Sequence, residues 1–133
     1  MTYILDTNVI TAILKGNQKA KQRAVAATLQ NEQVLINAIS YYEIKRGLLA
    51  ADATTQLGRF VSLCRELGVV FLDSLSVFDI AAETYANLKR KGQLLEDADI
   101  LIGSVAKSHN WVLVSDDSDF NRIQGLTVEN WLN

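Results

Sequence analysis

The sequence predicts an α/β fold, an open α/β/α sandwich around a mainly parallel central sheet. Three observations carry that expectation. Short β-branched runs recur along the chain, longer segments with helical spacing lie between them, and the short runs are apolar at consecutive rather than alternate positions. Continuous apolar runs are the pattern of strands covered on both faces, and strands that alternate with helices require crossover connections.

The first strand is Tyr3-Ile4-Leu5. Asp6-Thr7-Asn8 follows, three residue types that cap helices well, so a helix is expected to begin near Val9. A helix over Ala20 to Gln30 leads to a second strand, Val34-Leu35-Ile36. Ser40-Tyr41-Tyr42-Glu43 fits a capping box, in which Glu43 reaches back to the Ser40 amide at the head of a helix over Tyr41 to Ala50. Thr55 to Leu67 is helical, and Val69-Val70-Phe71-Leu72 is the third strand. In the helix Val77 to Lys91, Val77, Ala81, Tyr85 and Leu88 form the expected buried stripe, with Ile80, Glu83, Thr84, Asn87 and Lys91 on the polar side. Ala98 to His109 is the next helix, ended by Asn110; Trp111-Val112-Leu113-Val114 is the fourth strand, and a short fifth one is expected near Thr127-Val128.

A chain of 133 residues with 49% apolar and 21% charged residues can bury one adequate core, and a second domain has no room, so residues 1–133 are expected to form a single domain. No apolar run approaches the roughly 18 residues of a membrane span, and the start lacks the basic and apolar regions of a signal peptide. A soluble, cytoplasmic protein without membrane contact is the expectation. The single cysteine, Cys64, lies in an apolar-periodic stretch and reads as a buried small hydrophobe. The single histidine, His109, excludes a histidine-pair ribonuclease mechanism and a multi-histidine zinc site within one chain. A net charge of −2 excludes a protein that coats nucleic acid by bulk electrostatics. Positive charge still clusters at Lys15 to Arg23, Lys45-Arg46 and Lys89-Arg90-Lys91. Solvated helix faces account for these clusters, and RNA contact is compatible with them.

In open α/β sheets ligands bind beyond the carboxyl ends of the strands. Asp6 ends the first strand, Glu43 lies shortly after the second, Asp116, Asp117 and Asp119 follow the fourth, and Asp99 opens the helix that feeds it. Each acid has a local explanation as a cap, an Asx turn or a charge at a helix N-terminus, and for Asp97 that explanation suffices. Asp99 is harder to explain locally, because Ile102, Gly103 and Ala106 share its helical stripe and an ionised carboxylate above an apolar stripe needs a partner. Crowded carboxylates without Cys or His partners suit a hard cation such as Mg²⁺ or Mn²⁺.

Four segments together resemble the successive motifs of PIN-domain VapC toxins, the ribonuclease halves of VapBC toxin–antitoxin pairs. They are Asp6-Thr7-Asn8, Glu43 in Ser40-x-x-Glu43-Ile44, Asp99-Ile100-Leu101-Ile102-Gly103-x-x-Ala106, and Val114-Ser115-Asp116-Asp117-Ser118-Asp119-Phe120. The resemblance runs from Tyr3 nearly to the C-terminus and implies a PIN-like α/β/α sandwich whose acids bind one or two Mg²⁺ or Mn²⁺ ions and cut RNA. It carries the roles of metal ligand and catalytic acid onto Asp6, Glu43 and Asp99. Asp116, Asp117 and Asp119 compete for the fourth place; Asp117 is preferred and Asp119 comes second. Ser115 and Thr7 supply hydroxyls able to orient the acids. The tail Gly125-Leu126-x-Val128-Glu129-Asn130-Trp131 resembles the bacterial branch that cleaves initiator tRNA. The resemblance also implies a homodimer and a small VapB-like antitoxin.

Two other acid-edged folds fit less well. A receiver-like signalling domain needs an acceptor Asp after a middle strand, for which Asp73 is a candidate, and a late Lys, but no lysine follows Lys107. A dehalogenase-type phosphatase needs a second Asp where this chain has Asn8. A catalytically silent module that kept the fold is the third alternative, and the intact acid set argues against it.

Overall fold

The structure, a computed structural model, describes residues 1–133. Five parallel strands form one sheet in the order β3-β2-β1-β4-β5: β1 Thr2–Leu5, β2 Gln33–Asn37, β3 Val69–Val70, β4 Val112–Val114 and β5 Thr127–Glu129. The helices are α1 Thr7–Leu14, α2 Gln18–Leu29, α3 Ala38–Ala50, α4 Thr54–Leu67, α5 Leu75–Arg90 and α6 Asp97–Ser108, with a 3-10 turn at Ser118–Arg122. From β1 the chain builds outward through β2 to β3, then crosses back to lay β4 on the other side of β1. The strand order therefore reverses between β1 and β4, and a crevice opens there at the carboxyl edge.

Strand side chains alternate between two cores, as a period of two requires. Tyr3, Leu5, Val34, Ile36, Val112 and Val114 face one core, closed by Val9, Ile10 and Ile13 of α1, Ala20 and Ala27 of α2, Phe60 of α4 and Trp131 of the C-terminal tail. Ile4 and Leu113 face the other, closed by Val77 and Leu88 of α5, Ile102, Val105 and Ala106 of α6, and Phe120 and Ile123. Helix α3 serves both, through Ile44 on one side and Ile39 on the other. Both faces of the sheet are covered, which is why its strands read as continuous apolar runs.

Three local expectations are corrected. The third strand stops at Val70, and Phe71 is exposed, because only Ile36 and Asn37 at the end of β2 are available to pair with β3. On α5 the buried stripe is Val77, Ala81, Thr84 and Leu88; Thr84 is 8% exposed and Tyr85 39%. The i, i+4, i+7, i+11 spacing holds the stripe in line where i+8 drifts off it. Helix α3 begins at Ala38 rather than after Ser40, with Asn37 as its N-cap: the Asn37 side chain accepts a hydrogen bond from the Ser40 amide at 2.8 Å. Ser40 is thus inside the first turn, and Glu43 is free of the capping-box role.

Other expectations stand. Cys64 is half-buried against the larger core, and burial pushes its thiol pKa up. His109 is the C-cap of α6, Asn110 follows with φ 56°, and the imidazole stacks on Trp111 at 4.1 Å. No helix is long and apolar enough to cross a membrane.

Gly103 of α6 packs against the 3-10 segment and the residues that follow it. A Cβ there would stand 2.7 Å from Ile123 Cδ1 and 3.5 Å from Leu126 Cδ2. The nearest atom is the tip of a flexible side chain, so alanine can be accommodated, whereas a branched side chain cannot. Gly103→Val is expected to destabilise the protein by about 2 kcal/mol in urea denaturation, and Gly103→Ala by much less.

Candidate active site at the carboxyl edge

The β1–β4 pairing is extended one residue beyond β1 by the Asp6 amide, which donates to the Val114 carbonyl at 2.9 Å. This fixes the Asp6 carboxylate in the crevice, 4% exposed. Its Oδ1 accepts from the Thr7 amide at 2.8 Å, making Asp6 the N-cap of α1, and its Oδ2 accepts from Ser115 Oγ at 2.9 Å. Asp6 is therefore a cap and a crevice acid at once. Ser115 Oγ in turn accepts from the Asp117 amide at 3.0 Å, so one hydroxyl ties the acid after β1 to the turn after β4.

On the other side of Asp6 a hydroxyl relay holds Glu43. Thr7 has one proton to give, and Thr7 Oγ1 donates it to Glu43 Oε1 at 2.9 Å. The 2.8 Å bond between Thr7 and Ser40 must then run from Ser40 Oγ to Thr7, and Ser40 accepts from Asn37 Nδ2 at 3.0 Å. Asn37 also donates to the Leu5 carbonyl at 3.1 Å and is completely buried. The relay Asn37, Ser40, Thr7, Glu43 links β2, α3 and α1 and points a carboxylate into the crevice. Asn37 was not among the sequence-derived site residues. Its only signal was an Asn directly after an apolar strand and three residues before a Ser, which also reads as an ordinary turn.

Asp99 lies in the first turn of α6, half-buried. Its carboxyl is pushed up to about 6, first by burial and then by the charges of Asp6, Asp117, Glu96 and Glu43. Asp6 is also raised, mainly by burial; the Ser115 and Thr7 hydrogen bonds oppose that, and Asp117 and Asp116 add to it. Asp6, Glu43, Asp99 and Asp117 thus share one edge of the sheet. Asp117 is among the leading charges on both Asp6 and Asp99, and on Asp6 it outweighs Asp116. Asp119 is ion-paired with Arg122 at 3.3 Å, on the exposed side of the turn. Asp97 and Asp116 are exposed, and Asp73 lies exposed beyond the edge strand β3, away from the position a receiver's acceptor would need.

None of the ion pairs, Met1–Glu32, Arg23–Glu129 and Arg122–Asp119, involves the four crevice acids. As their side chains stand, no three of them converge closely enough to enclose one ion. Asp6, Glu43 and Asp117 are instead held by hydroxyl and amide donors. The donor set is all hard oxygen, with no protein cation offsetting it and one member held partly protonated near neutral pH. That chemistry fits Mg²⁺ or Mn²⁺.

Fold and edge together define an open α/β domain with carboxylates at its topological switch point. The chain belongs to the PIN-domain family, whose model matches residues 3–126. Ribonuclease VapC1 of Haemophilus influenzae (strain R2866) is 27% identical over 132 residues, covering 98% of both chains. Ribonuclease VapC2 of Rickettsia felis is 26% identical over 139 residues, again covering 98% of both, and Ribonuclease VapC5 of Mycobacterium tuberculosis is 29% identical over 126 residues, 92% of this chain and 87% of that one. Among solved structures, VapBC2 from Rickettsia felis bound to a DNA fragment from their promoter superposes with a TM-score of 0.87 at 25% identity, over 98% of this chain and 99% of the other. VapBC-1 from nontypeable Haemophilus influenzae gives 0.89 at 24% identity over the whole of both chains.

The raised pKa of Asp99 sets a stability prediction for the metal-free protein. The folded state holds this proton more tightly than the unfolded chain, so the stability it contributes is full below about pH 4 and is lost as pH rises through about 6. Asp99→Asn mimics the protonated form. At pH 7 in chelator it is expected to be more stable than wild type by about 1 kcal/mol, allowing for solvent screening of a half-exposed group, and the difference should vanish by pH 4. Thermal melts across that range check the sign.

Proposed function

We propose that this protein is a VapC-type toxin, an endoribonuclease that hydrolyses RNA phosphodiester bonds with the aid of Mg²⁺ or Mn²⁺, built as a single PIN domain over residues 1–133. The observation that supports this most is the gathering of Asp6, Glu43, Asp99 and Asp117 at the switch point, where their charges bear together on Asp99. The relatives named Ribonuclease VapC align with nearly the full chain, which supports the activity independently of the geometry.

In this reading Asp6, Glu43, Asp99 and Asp117 hold the ion or ions. A bound divalent cation lowers the pKa of water and neutralises charge developing on the scissile phosphate. The protein's own groups fix the geometry: Ser115 orients Asp6, Thr7 orients Glu43, and Asn37 and Ser40 hold Thr7 in place. No side chain serves as a covalent nucleophile, and the 2′-hydroxyl of the RNA is not used. The products therefore carry a 5′-phosphate, and a 2′,3′-cyclic phosphate end would refute the mechanism. The tail through Trp131 supports tRNA, initiator tRNA in particular, as the substrate.

Incubation of the pure protein with total cellular RNA, with and without Mg²⁺, followed by mapping of fragment ends, tests the reading. Asp6→Asn and Asp99→Asn are expected to lower metal-dependent cleavage by about a hundredfold or more. Asp117→Asn should impair cleavage more than Asp116→Asn or Asp97→Asn. Equal loss at Asp119→Asn would move the fourth ligand to Asp119.

The partners proposed are a VapB-like antitoxin and a second copy of the chain. An arginine from the antitoxin can pair with the crevice carboxylates and exclude metal or phosphate. Exposed Val25, Leu29 and Leu49 offer apolar surface for protein contacts. Co-expression with the adjacent small reading frame is expected to relieve toxicity, and light scattering at several concentrations reads the dimer.

A further inference from the structure

Away from the acids, a groove of about 420 Å³ lies between α5 and α6 and beside the 3-10 turn. Three cationic side chains line it, Arg90, Lys107 and Arg122, against one carboxylate, Glu83. This is a concentration of positive charge in a chain whose net charge is −2. Arg90 and Lys107 enter no ion pair. Arg122 is anchored by a 3.2 Å bond to the Leu94 carbonyl and by Asp119. The Lys107 stem lies against Gly125, whose φ is 83°; a Cβ there would stand 3.4 Å from Lys107 Cε. Asn87 and Gln124 add neutral hydrogen-bonding groups to the wall.

Each cation sits in the last turn of its helical element, where the helix dipole favours positive charge. That accounts for each one singly and not for their convergence on one groove. Lys107 is eight residues along α6 from Asp99, about 12 Å at the helical rise. Because α6 starts at the carboxyl edge and leads into β4, the groove lies on the flank of the sheet about two helical turns from the acid edge. A strand running along α6 from the cleavage point would meet it there.

We propose that this groove binds the phosphate backbone of the single-stranded RNA flanking the cleavage point, with Arg90 and Lys107 as its principal contacts. The inference rests on the ribonuclease reading for the identity of the polyanion. It gives an acidic protein a local positive track that offsets the repulsion between RNA and the carboxylate edge.

The test is fluorescence anisotropy with a labelled short single-stranded RNA in EDTA, where binding is read without cleavage. Both side chains are exposed, and the double variant Arg90→Ala/Lys107→Ala is checked for folding by circular dichroism. It is expected to bind about tenfold more weakly, with a slope of log affinity against log salt smaller by about 1.4, or about 0.7 for each phosphate that is no longer neutralised. Arg90→Lys/Lys107→Arg should restore most of the affinity, while Arg65→Ala, an exposed cation on α4, should leave it unchanged. Unchanged affinity in the double variant would overturn the proposal, as would competition by poly-glutamate or inorganic phosphate at equal charge that matches competition by RNA. Because binding is measured without turnover, a failure of the groove and a failure of the nuclease assignment give different results.

Discussion

The hydrogen bond from the Asp6 amide to the Val114 carbonyl is the constraint on which the crevice depends. It carries parallel pairing past the last regular residue of β1 and so sets where the chain may turn into α1. With β2 on one side of β1 and β4 on the other, the connections leave in opposite directions, which opens a crevice at the carboxyl ends between them. The Asp6 side chain then does two jobs with its two oxygens. One caps α1, and the other takes the Ser115 hydroxyl from the neighbouring strand end. Anything that separated β1 from β4 would lose the cap geometry and the orientation of Asp117 together.

The second physical theme is unrelieved negative charge. Asp6 is nearly buried and Asp99 half-buried, and neither has a basic partner. Isolated buried carboxylates either protonate or find a cation. Hydroxyls and amides stabilise Asp6 only in part, and its pKa remains raised. The hydroxyl relay has the further effect of fixing the orientation of acids that repel one another, so that they stay aimed at the crevice. A site of this kind holds its geometry at the expense of folding stability, the usual relation between active sites and their scaffolds.

Much of the architecture was legible in the sequence. The five strand runs and the alternating helices gave the parallel sandwich, because apolar continuity and helical spacing are local patterns that report burial directly. The errors were also local. At α3 the capping-box pattern pointed to Ser40, but strand β2 runs one residue longer than its apolar run and ends at Asn37, whose side chain takes the cap. On α5 an i, i+4, i+8 reading placed Tyr85 in the buried stripe, whereas the 3.6-residue period brings Thr84, at i+7, into line with Val77, Ala81 and Leu88.

By itself the sequence determined the fold class and the candidate acids, since strand ends can be read from apolar runs and an acid that follows one is placed at the carboxyl edge by topology. Tertiary structure alone decided how those acids are held and how the surroundings of the three after β4 differ. Asp116, Asp117 and Asp119 are chemically equivalent in the chain. They become distinct only when Ser115, pinned by its backbone to Glu129 and by its hydroxyl to Asp6, holds the Asp117 amide, so that Asp117 caps the 3-10 turn and Asp119 pairs with Arg122. The same holds for the groove of Arg90, Lys107 and Arg122, whose residues are distant in the chain and meet only because α5, α6 and the 3-10 turn pack around one core.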